Sequence, residues 1–174
     1  GNTAKLLDRA IQGARDAGAE VEKIEVTNLN IRACREIMFC REHETCAMKD
    51  DMQGIYEKFR DNDGIILATP IMTMGIPGML KSFIDRFQVY FMAKYVRKKP
   101  LVVKEKRKSR LGLYLRISGM NLPYVFDGAK MTVHAFFDII DVQYWDDLLI
   151  RDMDTLQDLS RHPELMDEAY SKGR

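Results

Sequence analysis

Seventeen consecutive uncharged residues, 64–80 (GIILATPIMTMGIPGML), stand between Asp63 and Lys81. The run opens on Ile65-Ile66-Leu67-Ala68, a short all-apolar stretch that reads as a strand buried on both faces. Thr69-Pro70 stops it, Gly75, Pro77 and Gly78 shape a loop, and LKSFIDRF begins a helix. A buried parallel strand that feeds a Gly/Pro-shaped loop and then a helix is where open α/β sheets bind ligands. A membrane-spanning helix is the competing reading, because the run is nearly long enough. Two Pro, three Gly and two Thr would interrupt such a helix.

A chain of 174 residues suits one domain, spanning 1–174, with a sizeable core. A net charge of +1 favours no nucleic-acid partner. It also weighs against a carrier that docks through a strongly acidic face. No signal peptide, lipidation motif or second apolar run is visible, so a cytoplasmic protein without membrane attachment is expected. Three cysteines, an odd number, fit a reducing compartment better than a disulfide framework.

Strand and helix signals alternate along the chain. Gly1-Asn2-Thr3 leads directly into a helix with an apolar stripe of Leu6, Leu7, Ala10, Ile11, Ala14 and Ala17, which Asn2 or Thr3 can cap. Val21, Ile24 and Val26 suggest a strand. Residues 30–49 are irregular and hold all three cysteines. The next helix has Asp50 as N-cap and Gln53 three residues on, in the pattern of a capping box, with Met52, Ile55, Tyr56 and Phe59 inward. After the strand at 64–69, a long helix is expected from about Gly78 into the low nineties. A strand follows at Leu111–Ile117, closed by Ser118-Gly119-Met120-Asn121. Then come a helix through Phe126, Ala129, Val133, Phe136, Phe137 and Ile140, a strand within Val142–Ile150, and a helix that Pro163 can start.

This order, a helix and then four βα units, argues for a parallel sheet covered on both faces. Such a sheet is normally fed by a strand before its first helix. The expectation is that a strand and loop precede Gly1, with that strand lying between those at about 21–26 and 64–69.

With these residues in view, the chain resembles the NADPH-dependent FMN reductase family, and within it the iron–sulfur flavoproteins. The family's first loop has the pattern S-P-R-x-x-G-N-T, and this chain begins at its last three residues. Its third-strand pattern, G-S-P-x-Y-x-G-x-x-P-x-x-L-K-x-F-I-D-R, corresponds to ATPIMTMGIPGMLKSFIDR, with Met72 where the pattern usually holds Tyr. The resemblance implies an α/β, flavodoxin-like three-layer sandwich with a parallel sheet of order 2-1-3-4-5, the first strand missing from these residues. It implies FMN as cofactor, NAD(P)H as co-substrate, and a flavin, a quinone or an iron–sulfur redox protein as acceptor. It also implies a homodimer or homotetramer. A non-enzymatic FMN electron carrier is the alternative.

Physical chemistry supports the same assignment. The FMN phosphate suits backbone N–H groups at a helix N-terminus, where Asn2 and Thr3 stand; plain helix capping is the other reading, and the two can coexist. The flavin ring needs backbone amides and apolar contacts at a strand end. Thr69, Pro70, Ile71, Met72, Thr73, Met74 and Gly75 supply such a surface, and Ser118 and Gly119 end the next strand at the same edge. No side-chain acid or base is required for hydride transfer to a flavin, so no catalytic residue is assigned. His43, His134 and His162 read as surface or packing histidines.

Cys34, Cys40 and Cys46 follow C-x5-C-x5-C. Iron–sulfur flavoproteins carry C-x2-C-x2-C-x5-C for a four-iron cluster, and its second position falls here on Ile37, which cannot ligate iron. No metal site is therefore assigned, and reduced cysteines in a loop are expected. Residues 94–110 hold nine basic side chains. They could receive the 2′-phosphate of NADPH or an acidic electron partner, or form a solvated connection.

Overall fold

The computed structural model describes all residues 1–174. Chain order begins with α1 (Asn2–Asp16), a 3-10 turn at Val26–Asn28 and another at Phe39–Arg41, then α2 (Met52–Asp61) and β1 (Gly64–Pro70). Next come α3 (Gly78–Asp85), α4 (Gln88–Phe91), a π turn at Met92–Val96, β2 (Leu111–Ile117) and α5 (Asp127–Ile139). The chain ends with β3 (Gln143–Ile150), α6 (Met153–Leu156) and α7 (Pro163–Gly173). The sheet is parallel, in the order β1-β2-β3, with Thr69 opposite Arg116 and Pro70 opposite Ile117 at its carboxyl end.

Two cores flank the sheet. On one face Leu6 and Ala10 of α1, Ala169 of α7 and Leu159 meet Leu113, Leu115, Ile117, Leu148 and Ile150. On the other, Tyr56, Phe83, Phe87, Tyr90, Val133 and Phe136 gather beneath Tyr114. Alternating residues of β2 thus serve opposite faces, as a two-residue period requires. The result is a three-layer helix–sheet–helix stack.

Four expectations fail in instructive ways. Residues 21–26 form no strand, because no strand lies beside β1 for them to join; Ile24 and Val26 still pack on the second core. The sheet therefore has three strands, not four. For the same reason β1 is an edge strand, and Ile65 to Ala68 are half-buried rather than buried on both faces. Ile71 N–H donates to Ile117 O at 2.8 Å. By the alternation of a parallel ladder, Ile66 and Ala68 direct their amides away from β2, where no acceptor meets them. The long helix expected from Gly78 ends at Asp85, where the Tyr56 hydroxyl donates to Arg86 O at 2.9 Å. The capping box does not form. Gln53 Nε2 instead donates to Cys46 O (2.9 Å) and Met48 O (2.8 Å), holding the cysteine loop.

Asp50 has a different partner. It forms a two-pronged ion pair with Arg86 at 2.5 and 2.9 Å, while a third Arg86 N–H, on Nη1, donates to Arg32 O. Burial pushes the Asp50 carboxyl up, but the hydrogen bonds and charge of Arg86 outweigh it and hold the group below its ordinary value.

Candidate functional site

The candidate residues of β1 and β2 lie at the carboxyl end of the sheet. Beyond β1, Met72 and Gly75 exchange both backbone hydrogen bonds, at 2.9 and 3.0 Å, around a tight turn. Its two central residues, Thr73 (φ 49°) and Met74 (φ 60°), lie in the left-handed region. That conformation is uncommon for a β-branched residue and costs on the order of 1–3 kcal/mol per site. Gly75 itself does not have positive φ, and a Cβ there would meet nothing closer than Met72 O at 3.8 Å. The glycine is thus not what bends the loop; it keeps the loop's outer surface open. Met72 is exposed. The N–H groups of Thr73 and Met74 have no acceptor in the protein.

Beyond β2, Ser118 N–H donates to Ile150 O at 2.8 Å, and the Ser118 hydroxyl accepts from Met120 N–H at 3.1 Å. A Cβ on Gly119 would lie 2.5 Å from Asp154 Oδ1, so the carboxylate rests on that glycine's backbone. Gly128, at the start of α5, touches the Met74 carbonyl, which would stand 2.7 Å from a Cβ. The segment 69–75 is thereby fixed against β2 on one side and α5 on the other.

At α1 the expectation needs correcting. The N-cap is Gly1, with no side-chain cap. Asn2 instead clamps the segment after α6: its Nδ2 donates to Gln157 O at 2.7 Å, and its Oδ1 accepts from Leu159 N–H at 3.2 Å. Gln157 sits in a strained three-residue turn (φ 62°, ψ −63°) closed by Asp158 N–H on Leu156 O at 2.8 Å. Lys5 pairs with Asp158 at 2.6 Å, and with Ser160 it holds that carboxyl down at about 2. Thr3 is half-buried and makes no side-chain hydrogen bond. The first N–H groups of α1 keep no intrahelical acceptor, as at any helix start.

FMN needs donors for a phosphate, donors along a ring edge and an open flat surface. The free N–H groups of α1, of Thr73 and of Met74, with the unobstructed faces of Gly75 and Met72, meet those needs. Asn2, Thr3, Thr69 to Gly75, Ser118 and Gly119 are all placed at this end of the sheet. Sequence reasoning missed Asp154, Gly128 and Gln157, which carry no local motif, and Arg116, whose charge inside LYLRI was the one legible sign.

Two of the three histidines are engaged in stacking. His134 lies flat on Tyr144 (centroids 3.9 Å) and His43 on Phe39 (3.7 Å). Burial lowers the His134 value. Cys34, Cys40 and Cys46 line one cavity of about 630 Å³ between the loop 34–48, α3 and α5. Burial, reinforced by the neighbouring Cys46, pushes the Cys40 thiol up. No group of three or more His, Cys, Asp or Glu stands in metal-holding geometry. Of the basic segment, Lys94 and Lys106 pair with aspartates, and Arg97, Arg107 and Arg110 donate to backbone carbonyls. Lys98, Lys99, Lys104 and Lys108 remain unpaired. No helix is long and apolar enough to cross a membrane.

Comparison with known proteins agrees with the geometry. An iron-sulfur flavoprotein of Methanosarcina thermophila is 35% identical over 85 residues, 49% of this chain and 44% of that protein. Another, from Methanocaldococcus jannaschii, is 30% identical over 134 residues, 76% of this chain and 63% of the other. The chain spans about half the length of the curated relatives it matches. Among solved structures, a flavone reductase superposes with TM-score 0.71 at 20% identity, covering all of this chain and 57% of that one. An FMN-dependent NADH-azoreductase of Bacillus anthracis, solved with FMN, superposes with TM-score 0.70 at 12% identity, covering 99% and 90%. These likenesses establish the flavodoxin-like fold. A family model described as NADPH-dependent FMN reductase matches residues 1–109, and the chain belongs to that family.

Proposed function

We propose that this protein is an FMN-dependent oxidoreductase that draws electrons from NAD(P)H and passes them to a flavin, a quinone or an iron–sulfur redox protein. Family membership supports the flavin chemistry. The observation that carries the placement is the turn at 72–75, whose strained residues present two free N–H donors beside an open glycine. FMN supplies the hydride-accepting ring when bound. The protein's residues orient it. The first turn of α1 faces the phosphate with N–H donors, while Asn2 holds the 157–159 segment beside it. Within the 69–75 segment the free amides of Thr73 and Met74 are offered to a ring edge, and Ser118 and Gly119 border it. The unpaired Lys98, Lys99, Lys104 and Lys108 are the cations that could meet an NADPH phosphate. A cytoplasmic setting and a homodimer or homotetramer belong to the same reading.

We also propose that the open edge of β1 receives one more parallel strand. Its unmet amides at Ile66 and Ala68, and the half-buried side chains around them, are suited to that addition. The sheet would then take the order 2-1-3-4-5, with residues 21–26 as its outer strand.

Rapid anaerobic mixing of the FMN-loaded protein with NADPH tests the activity. Fast bleaching of the flavin bands is expected. Slow or absent bleaching, with reduction by a redox protein instead, would assign a carrier.

A further inference from the structure

Arg116 is a charged residue in a central strand, only 2% exposed. It makes one side-chain hydrogen bond, from Nη2 to Asp147 Oδ2 at 2.6 Å, and its Nε and Nη1 find no partner. Buried donors left unmet are rare and call for an account. Stability alone does not supply one, since an apolar side chain of similar shape would avoid the desolvation.

Its location does. Arg116 lies opposite Thr69, at the last register positions before the 72–75 turn. Its guanidinium carbon is 5.1 Å from the Tyr114 ring centroid and 5.2 Å from that of Phe126. Phe126 immediately precedes α5, whose Gly128 touches the Met74 carbonyl. The cation is therefore enclosed beneath the corner where the flavin surface meets α5. Its counterion stands on β3, on the side of β2 away from β1, so the cation is the member of the pair carried by the strand that adjoins β1 and its loop. Asp147 also serves the Tyr144 hydroxyl (2.7 Å) and lies 3.8 Å from Lys130 Nζ. Arg151 adds a cation 5.7 Å from the Phe126 ring centroid. The remaining carboxylates nearby, Asp127 and Asp154, are exposed and screened by water, whereas a buried charge is screened far less.

We propose that Arg116 is a positioning residue of electrostatic kind: its buried charge stabilises reduced FMN over oxidised FMN on the 69–75 surface. Reduction adds electron density to the ring, and a fixed cation beneath it favours that state through a low-dielectric path. The inference rests on the FMN reading above, and its test separates the two.

The midpoint potential of bound FMN is measured by dye equilibration in the full chain, for wild type, Arg116→Met, Arg116→Lys and Asp147→Asn. Arg116→Met should lower the ratio of reduced-to-oxidised FMN affinity about tenfold, equivalent to about 30 mV more negative for a two-electron couple. Arg116→Lys, which keeps the charge, should stay near wild type. Asp147→Asn, which removes the counterion, should move the potential the opposite way. A folded Arg116→Met protein with wild-type potential overturns the inference, as does a Lys variant that shifts as far as Met. If Arg116→Met does not fold, Asp147→Asn decides: a positive shift supports the inference and an unchanged potential overturns it. Wild type that binds no FMN refutes the FMN reading, and the inference falls with it.

Discussion

Asp50 and Arg86 show what one residue can do in this fold. The pair ties the start of α2 to the end of α3, and with Arg32 it fixes the path into the cysteine loop. Arg86 has no exposed side-chain surface and Asp50 has 9%. Removing one partner leaves a buried charge uncompensated, so Asp50→Ala should cost about 3–5 kcal/mol in urea unfolding at neutral pH. The pH dependence has a definite sign. The Asp50 carboxyl titrates lower in the folded state than its ordinary 3.8. Its stabilisation is therefore fully present above that value and is lost as pH falls through the folded-state value. Unfolding curves taken across that range should be steeper in pH for wild type than for Asp50→Asn. Equal slopes would show that the pair is not titrating there. Gly128→Ala is the complementary case at the site, because its Cβ would press on Met74 O and force the 72–75 turn to move. It should weaken FMN binding while α5 persists by circular dichroism.

At the scale of elements, the turn at 72–75 is the piece on which the site depends. Its sequence announced a loop correctly, through Gly75, Pro77 and Gly78, but carried no sign of where the strain lies. The pattern pointed to glycine, while the backbone placed the left-handed conformation on Thr73 and Met74. Non-glycine residues held there are unreadable from local propensity, because only the surrounding structure keeps them there. Gly75→Val is a sharp test of the site, because its side chain would meet open space and not the fold. The nearest atom to its Cβ is 3.8 Å away, so the protein should lose under about 0.5 kcal/mol of stability. The side chain would fill the open ring surface, and FMN affinity should fall at least tenfold. Unchanged affinity would move the ring elsewhere. β2, β3, α5 and α7 were legible because apolar period and punctuation agreed with their burial. The break in the helix after Asp85 was not, since it follows from the Tyr56 hydroxyl taking Arg86 O, a contact between distant residues. The diversion of Asn2 to Gln157 and Leu159 was hidden for the same reason.

At the scale of the whole molecule, the sheet is closed on its two faces and open along its two edges, β1 and β3. α1 and α7 cover one side and α2 to α5 the other, leaving β1 with unmet amides. Hydrogen exchange on this chain should find the Ile66 and Ala68 amides fast and those of Leu67 and Thr69 protected. Uniform protection along β1 would mean that the edge is already covered. Class and layer order could be read from the alternation of signals, whereas the failure of residues 21–26 to form a strand could not, because pairing depends on a neighbour and not on composition. The account as a whole turns on a flavin seated at the carboxyl end of this sheet. Titration of FMN into the protein, followed by the visible flavin spectrum and fluorescence, tests it most directly. The account predicts saturation at about one FMN per chain, with perturbed bands and quenched emission, and loss of that signal in Gly75→Val. A folded protein that leaves the spectrum and emission of added FMN unchanged would contradict it.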